Sequence, residues 1–150
     1  MISVTKIFRF KAAHAIFGYQ GKCSGIHGHS YELHVTVRAA SETIFEPGGF
    51  VIDFKELKTI VMHSIIDKLD HMILLSKKYI EHYKETRAIN NVISFESEPS
   101  VENLLLFISR ILATNLPPHI FLTGIKLSET KDSYAQWKTE YSSNKYFSSL

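Results

Sequence analysis

Apolar residues occupy alternate positions in two stretches near the start of the chain. Ile2, Val4, Phe8 and Phe10 alternate with more polar neighbours, and Tyr31, Leu33, Val35, Val37 and Ala39 alternate with Glu32, His34, Thr36 and Arg38. A period of two predicts half-buried strands. His27 and His29 continue the apolar phase of the second strand, so a strand reaching back to them sends both imidazoles from one side. Pro47-Gly48-Gly49 predicts a turn. Asp53, with Glu56 three residues on, then reads as a capping box. Leu57, Ile60, Val61, Ile65 and Leu69 make one apolar helical stripe that stops at Asp70-His71. Residues 72–98 predict a short charged helix, a loop and a brief strand at Val92–Phe95. Ser100 after Pro99 predicts the N-cap of a second helix, with Leu104, Phe107, Ile108, Ile111 and Leu112 facing inward. Asn115 and Pro117-Pro118 end it. Phe121, Thr123, Ile125, Leu127 and Glu129 alternate as a third strand, and Ala135, Trp137, Thr139 and Tyr141 as a fourth, with a hairpin turn at Lys131-Asp132-Ser133. The order β-β-α-α-β-β predicts an α+β fold: a four-stranded antiparallel sheet with two helices on one face. Such a sheet has open edges, which pairing with other subunits would cover.

Length adds that the 150 residues form a single domain spanning 1–150. With 45% hydrophobic and 12% aromatic residues the chain can bury a sizeable core. A formal net charge of +2 argues against a nucleic-acid footprint. The densest basic cluster, Lys77-Lys78 through Lys84 and Arg87, is broken by Glu81 and Glu85 and reads as solvated surface. No apolar run suits a bilayer span, the first residues show no signal-peptide pattern, and one cysteine excludes an internal disulfide. These features predict a cytoplasmic protein.

The chemistry concentrates in three histidines. His14 closes Phe10-Lys-Ala-Ala-His14, while His27 and His29 close Cys23-Ser-Gly-Ile-His27-Gly-His29. Three imidazoles with one position left open are the ligand set of a catalytic zinc site. Cys23 has three readings: a fourth ligand, a base or nucleophile activated by a nearby cation, or a small buried hydrophobe. Asp70 could orient His71, but neighbours on a helix do not face each other, so a capping Asp and a surface His are the simpler reading. Glu129 follows the apolar phase of its strand and needs a partner if buried. Ser100 and Glu102 suit a helix N-terminus, where capping is the default and a polar ligand could dock. His34, His63, His82 and His119 carry no functional role.

In order, Phe10-Lys-Ala-Ala-His14, Cys23-x-x-x-His27-Gly-His29, Gly49-Phe-Val-Ile-Asp53-Phe54, Leu69-Asp70-His71, Glu98-Pro-Ser-Val-Glu102-Asn103 and Leu127-Ser-Glu129-Thr130 run almost end to end through the chain. Together they resemble the 6-pyruvoyl-tetrahydropterin synthase family. The resemblance implies the tunnelling fold, with subunit sheets joined into a barrel as trimers that stack into hexamers, and active sites between subunits. It implies zinc on His14, His27 and His29, a proton-transfer role for Cys23, and a relay through His71 oriented by Asp70. It makes Glu129 the anchor for the amino-pyrimidine edge of a pterin, with Thr130, Ser100 and Glu102 as further substrate contacts. Three residues between the cysteine and His-Gly-His are similar to the 6-carboxytetrahydropterin synthases of the queuosine and 7-deazapurine pathway. The implied reaction converts 7,8-dihydroneopterin triphosphate to 6-carboxy-5,6,7,8-tetrahydropterin, acetaldehyde and triphosphate. The alternatives are a 6-pyruvoyl synthase, a folate-pathway enzyme that cleaves the same side chain, and a non-catalytic pterin-binding protein. Two departures from the family pattern are Leu74-Leu75 where many relatives carry Asn, and the length of the segment from His71 to Pro99. Ser100 stands for a common Thr and keeps its hydroxyl.

Overall fold

Strands β1 (Val4–His14) and β2 (His27–Ala39) pair antiparallel along almost their whole length, from Val4 opposite Val37 to His14 opposite His27. Their alternation is as expected: Phe8, Phe10 and Ala12 on β1 and Tyr31, Leu33 and Val35 on β2 are buried, while Arg9 and Lys11 between them are exposed. The computed structural model describes residues 2–40 and 48–139. The expected strand position Tyr141 and Pro47 of the expected turn lie outside them. Gly49 has a φ of 74°, the left-handed conformation that favours glycine in a turn.

The helical stripe after Asp53 is realised as α1 (Phe54–Val61), a π-helical turn (Met62–Ile66) and the single turn α2 (Asp67–Leu69). Asp53 caps α1 by accepting the amide N–H of Lys55 at 2.7 Å. The chain continues through β3 (Met72–Ser76), α3 (Lys77–His82), β4 (Val92–Phe95), α4 (Val101–Asn115), β5 (Ile120–Ser128) and β6 (Tyr134–Lys138). Short 3-10 turns lie at Lys22–Ser24 and Lys84–Ala88.

The sheet has six strands in the order β4-β3-β1-β2-β5-β6, which corrects the expected four. It is mixed rather than antiparallel, because β3 runs parallel to β1 and β4 parallel to β3. The third-strand pattern also needs correction. Val35 faces Ile125 and Thr36 faces Gly124, but Val37 faces Leu122, so Thr123 is an extra residue on β5. Such a bulge reverses the alternation. Ile120 and Leu122 point inward before it, Ile125 and Leu127 after it, and Phe121 is exposed.

One face of the sheet packs on α1, its π-helical continuation and α4, and the core lies between. A smaller cluster of Ala15, Leu75 and Tyr79, with Phe17 packed against it, secures α3 beyond the end of β1. No described helix is long and apolar enough to cross a membrane.

Candidate metal centre and adjoining groove

The register of β1 and β2 assembles the histidines. His14 lies directly opposite His27, and His29 lies opposite Ala12 on the same face. Their ligand atoms all fall within 4.8 Å of one another, and the described group contains these three histidines without Cys23. His14 is 4% exposed. Its Nδ1 donates to the Pro99 carbonyl at 2.7 Å, and His27 Nδ1 donates to the Gly25 carbonyl at 2.8 Å. Both rings thereby turn Nε2 toward each other, and these two nitrogens lie 3.1 Å apart. Two nitrogens ~2.0–2.1 Å from one tetrahedral zinc would stand roughly 3.3 Å apart. His29 lies within the electrostatic reach of Glu129. His14 and His27 are thus each braced by a backbone carbonyl, the support that metal-binding histidines need.

Electrostatics favours the same reading. Burial holds His29 below its ordinary pKa of 6.5; the Glu129 carboxylate pulls it upward, while His14 and His27 push it down. A neutral imidazole is the form that binds metal. Glu129 Oε1 lies 3.7 Å from His14 Nε2. Ring nitrogens converging beside a carboxylate form a donor set that a divalent cation satisfies. Tyr31 completes the cluster. Burial first, then the Glu129 charge and a hydrogen bond to Glu129, push its phenol far up, so it stays protonated and donates to that carboxylate.

Asp70 and His71 do meet, because the helix ends before them. Asp70 adopts an extended backbone and His71 has a φ of 61°. The His71 N–H donates to Lys11 O at 2.6 Å and its carbonyl accepts from Asn91 at 2.8 Å, holding this unusual conformation. The Asp70 carboxylate accepts the Lys11 N–H at 2.8 Å and contacts His71 Nδ1 at 3.0 Å. The Lys11 amide and the His71 contact draw the Asp70 pKa below its usual value. The Asp70 carboxylate therefore does reach the His71 ring, and that ring stays on the surface of the chain.

This pair lies on the helix-free side of the sheet. There a groove of about 810 Å³ is lined by Arg9, Lys11, Lys126, His71, Glu129 and Thr130, among others. Arg9 and Lys11, which the sequence left without a role, both face it, and Arg9 is paired with Glu32 at 2.7 Å. A second groove of about 390 Å³ holds both His29 and His71.

Cys23 sits exposed on the 3-10 turn, and among the described residues it makes no hydrogen bond to His71. Ser100 caps α4, accepting the Asn103 N–H at 3.4 Å, and Glu102 is exposed in the first turn of that helix. Thr130 lies in the β5–β6 turn, its hydroxyl accepting the Asp132 N–H at 3.3 Å. One chain therefore brings together His14, His27, His29, Tyr31 and Glu129, and separately Asp70 and His71. It leaves Cys23, Ser100 and Glu102 outside both groups. The sequence reading missed Tyr31, counted only as an apolar-face residue, and the carbonyls of Pro99 and Gly25; Pro99 immediately precedes the recognised N-cap.

Comparison with known proteins gives one coherent picture. The family model described as 6-pyruvoyl tetrahydropterin synthase matches residues 3–140. A 6-carboxy-5,6,7,8-tetrahydropterin synthase of Rickettsia bellii is 31% identical over 140 residues, covering 91% of this chain and 99% of that protein. A 6-pyruvoyl tetrahydrobiopterin synthase of Dictyostelium discoideum is 30% identical over 120 residues, covering 80% and 76%. The solved structure of the Caenorhabditis elegans 6-pyruvoyl tetrahydropterin synthase matches with a TM-score of 0.65 and 20% identity, covering 92% of this chain and 95% of that one.

Proposed function

This chain belongs to the 6-pyruvoyl tetrahydropterin synthase family, and from that premise we propose that it is a zinc-dependent carbon–carbon lyase. With one water it converts 7,8-dihydroneopterin triphosphate to 6-carboxy-5,6,7,8-tetrahydropterin, acetaldehyde and triphosphate, in the 7-deazapurine route to queuosine. The observation that carries this reading is the convergence of His14, His27 and His29, the first two each braced by a backbone carbonyl. The three-residue spacing from Cys23 to His27, together with relatives named as 6-carboxytetrahydropterin synthases, favours this product over a pyruvoyl one.

Zinc held by the three imidazoles supplies Lewis-acid stabilisation for negative charge developing on the substrate's side-chain oxygens. The protein's own groups do the rest. Glu129 accepts hydrogen bonds from the amino-pyrimidine edge, with its carboxylate held in place by Tyr31. Thr130, Ser100 and Glu102 contribute further polar contacts to the substrate. The Cys23 thiolate removes a proton from the side chain, and His71 accepts and returns protons while Asp70 keeps its ring oriented.

Cys23 and His71 come together between subunits. Support for this comes from the exposure of both residues, with the His71 side chain 77% accessible. It also comes from the open sheet edges at β4 and β6. The assembly is a trimer or a dimer of trimers whose sheets close into a barrel. Its helix-free faces, carrying the groove, turn toward partner subunits.

Acetaldehyde release tests the reaction. Protein stripped by a chelator and then reloaded with zinc should release acetaldehyde from 7,8-dihydroneopterin triphosphate, and the stripped form should not. Substrate bound without turnover in either form would instead identify a pterin-binding protein.

A further inference from the structure

The loop carrying Cys23 has little to hold it. Residues 18–26 are all exposed, so their position depends on ties at the ends of the loop. Two such ties stand out. The Ile16 N–H donates to Cys23 O at 3.0 Å and closes the loop at its base. The Phe17 N–H donates to the Glu98 carboxylate at 2.8 Å, a charge-assisted bond in a partly buried setting. The Phe17 ring then packs on His82, 5.3 Å between centroids, and on Tyr79.

The other side of Glu98 serves the metal centre. Its carbonyl accepts from the Asn103 side chain at 2.8 Å and from the Ser100 N–H at 2.9 Å, which fixes the peptide against the start of α4. The next residue, buried Pro99, gives its carbonyl to His14 Nδ1. One dipeptide therefore reaches the thiol loop through a side chain and a histidine of the metal centre through the backbone.

The geometry points to Glu98 as a positioning residue that sets the Cys23 loop in register with the His14–His27–His29 centre. The catalytic consequence rests on the reading of Cys23 as the proton-transfer group; the tether itself does not. Removing the Glu98 side chain releases the loop arm alone, because the arm to His14 is backbone and Asn103 still holds it. Glu98→Gln keeps an oxygen that can accept the Phe17 N–H.

The experiment compares wild type, Glu98→Ala and Glu98→Gln in the zinc-loaded protein, by amide hydrogen exchange over residues 16–24 and by steady-state kinetics. Glu98→Ala should exchange roughly tenfold or more faster in that segment, as loss of one charge-assisted hydrogen bond implies. Its kcat should fall about 10²-fold with KM little changed, the scale expected of a misplaced reacting group. Glu98→Gln should recover most of both. Cobalt(II) should bind all three forms with the same stoichiometry and visible spectrum, showing an intact histidine centre. Unchanged exchange in Glu98→Ala would overturn the tether, and so would a Glu98→Gln variant as impaired as Glu98→Ala. Faster exchange alongside a fully active Cys23→Ala variant would uphold the tether and overturn the role of Cys23 on which its catalytic consequence depends.

Discussion

His29 shows how burial prepares a side chain for metal. Desolvation lowers its pKa, and the neighbouring imidazoles add to that effect against the pull of Glu129. Because the folded value lies below the unfolded one, the unfolded chain takes up a proton first as pH falls. The stability His29 gives is therefore complete above 6.5 and is lost as pH drops through its lower folded value. A metal held on the same nitrogen would be lost in the same direction, since protons compete with it there. Thermal unfolding of the metal-free protein should show a lower midpoint at about pH 5.5 than at about pH 7.5. Equilibrium dialysis at fixed free zinc should show lower occupancy at the acid end, and an occupancy flat across this range would contradict the histidine centre. The three histidines were legible because strand alternation and the His-Gly-His spacing put His27 and His29 on one face. Tyr31 was not, because its ring belongs to the apolar stripe and only its hydroxyl belongs to the site. The Asp70–His71 contact was hidden as well. It needs the positive φ at His71, which no residue type at that position announces.

Among the elements, β1, β2 and α4 follow directly from period and caps, and β5 and β6 do so except for the phase of β5 before Gly124. Strand β3 does not. Its Met-Ile-Leu-Leu-Ser run buries Leu74 in the main core and Leu75 in the smaller cluster, so both faces are apolar and no alternation shows. A short apolar run of that kind cannot be told from a buried helix segment by periodicity. The fold gives these two leucines a packing role. Leu74→Ala should destabilise the protein by roughly 2–5 kcal/mol, as for other fully buried leucines. Denaturant unfolding measures this, and a loss below about 1 kcal/mol would mean β3 is not part of the cooperative core. The bulge at Thr123 was likewise invisible: a single extra residue reverses the phase while every local residue choice still suits a strand.

At the scale of the whole molecule, the long segment after His71 changes the sheet from four strands to six and makes it mixed. It adds β3 and β4 on the β1 side and leaves the helix-free face with its groove intact. The fold class was readable because strands bracketed helices in order; of the two extra strands, β4 matches the brief strand expected at Val92–Phe95, whereas β3 and the parallel pairing of both were not readable. The arrangement of the proposed relay predicts an assembly, with Asp70 and His71 on one part of the surface and Cys23 on another. Sedimentation equilibrium at micromolar concentration should give a trimer or a multiple of it. A monomer that turns over substrate would contradict sites shared between subunits. The decisive measurement is the mass of the pterin product when the zinc-loaded protein is given 7,8-dihydroneopterin triphosphate. A 6-carboxytetrahydropterin, formed together with acetaldehyde, is the predicted result. A 6-pyruvoyl tetrahydropterin that keeps all the side-chain carbons would contradict the lyase assignment.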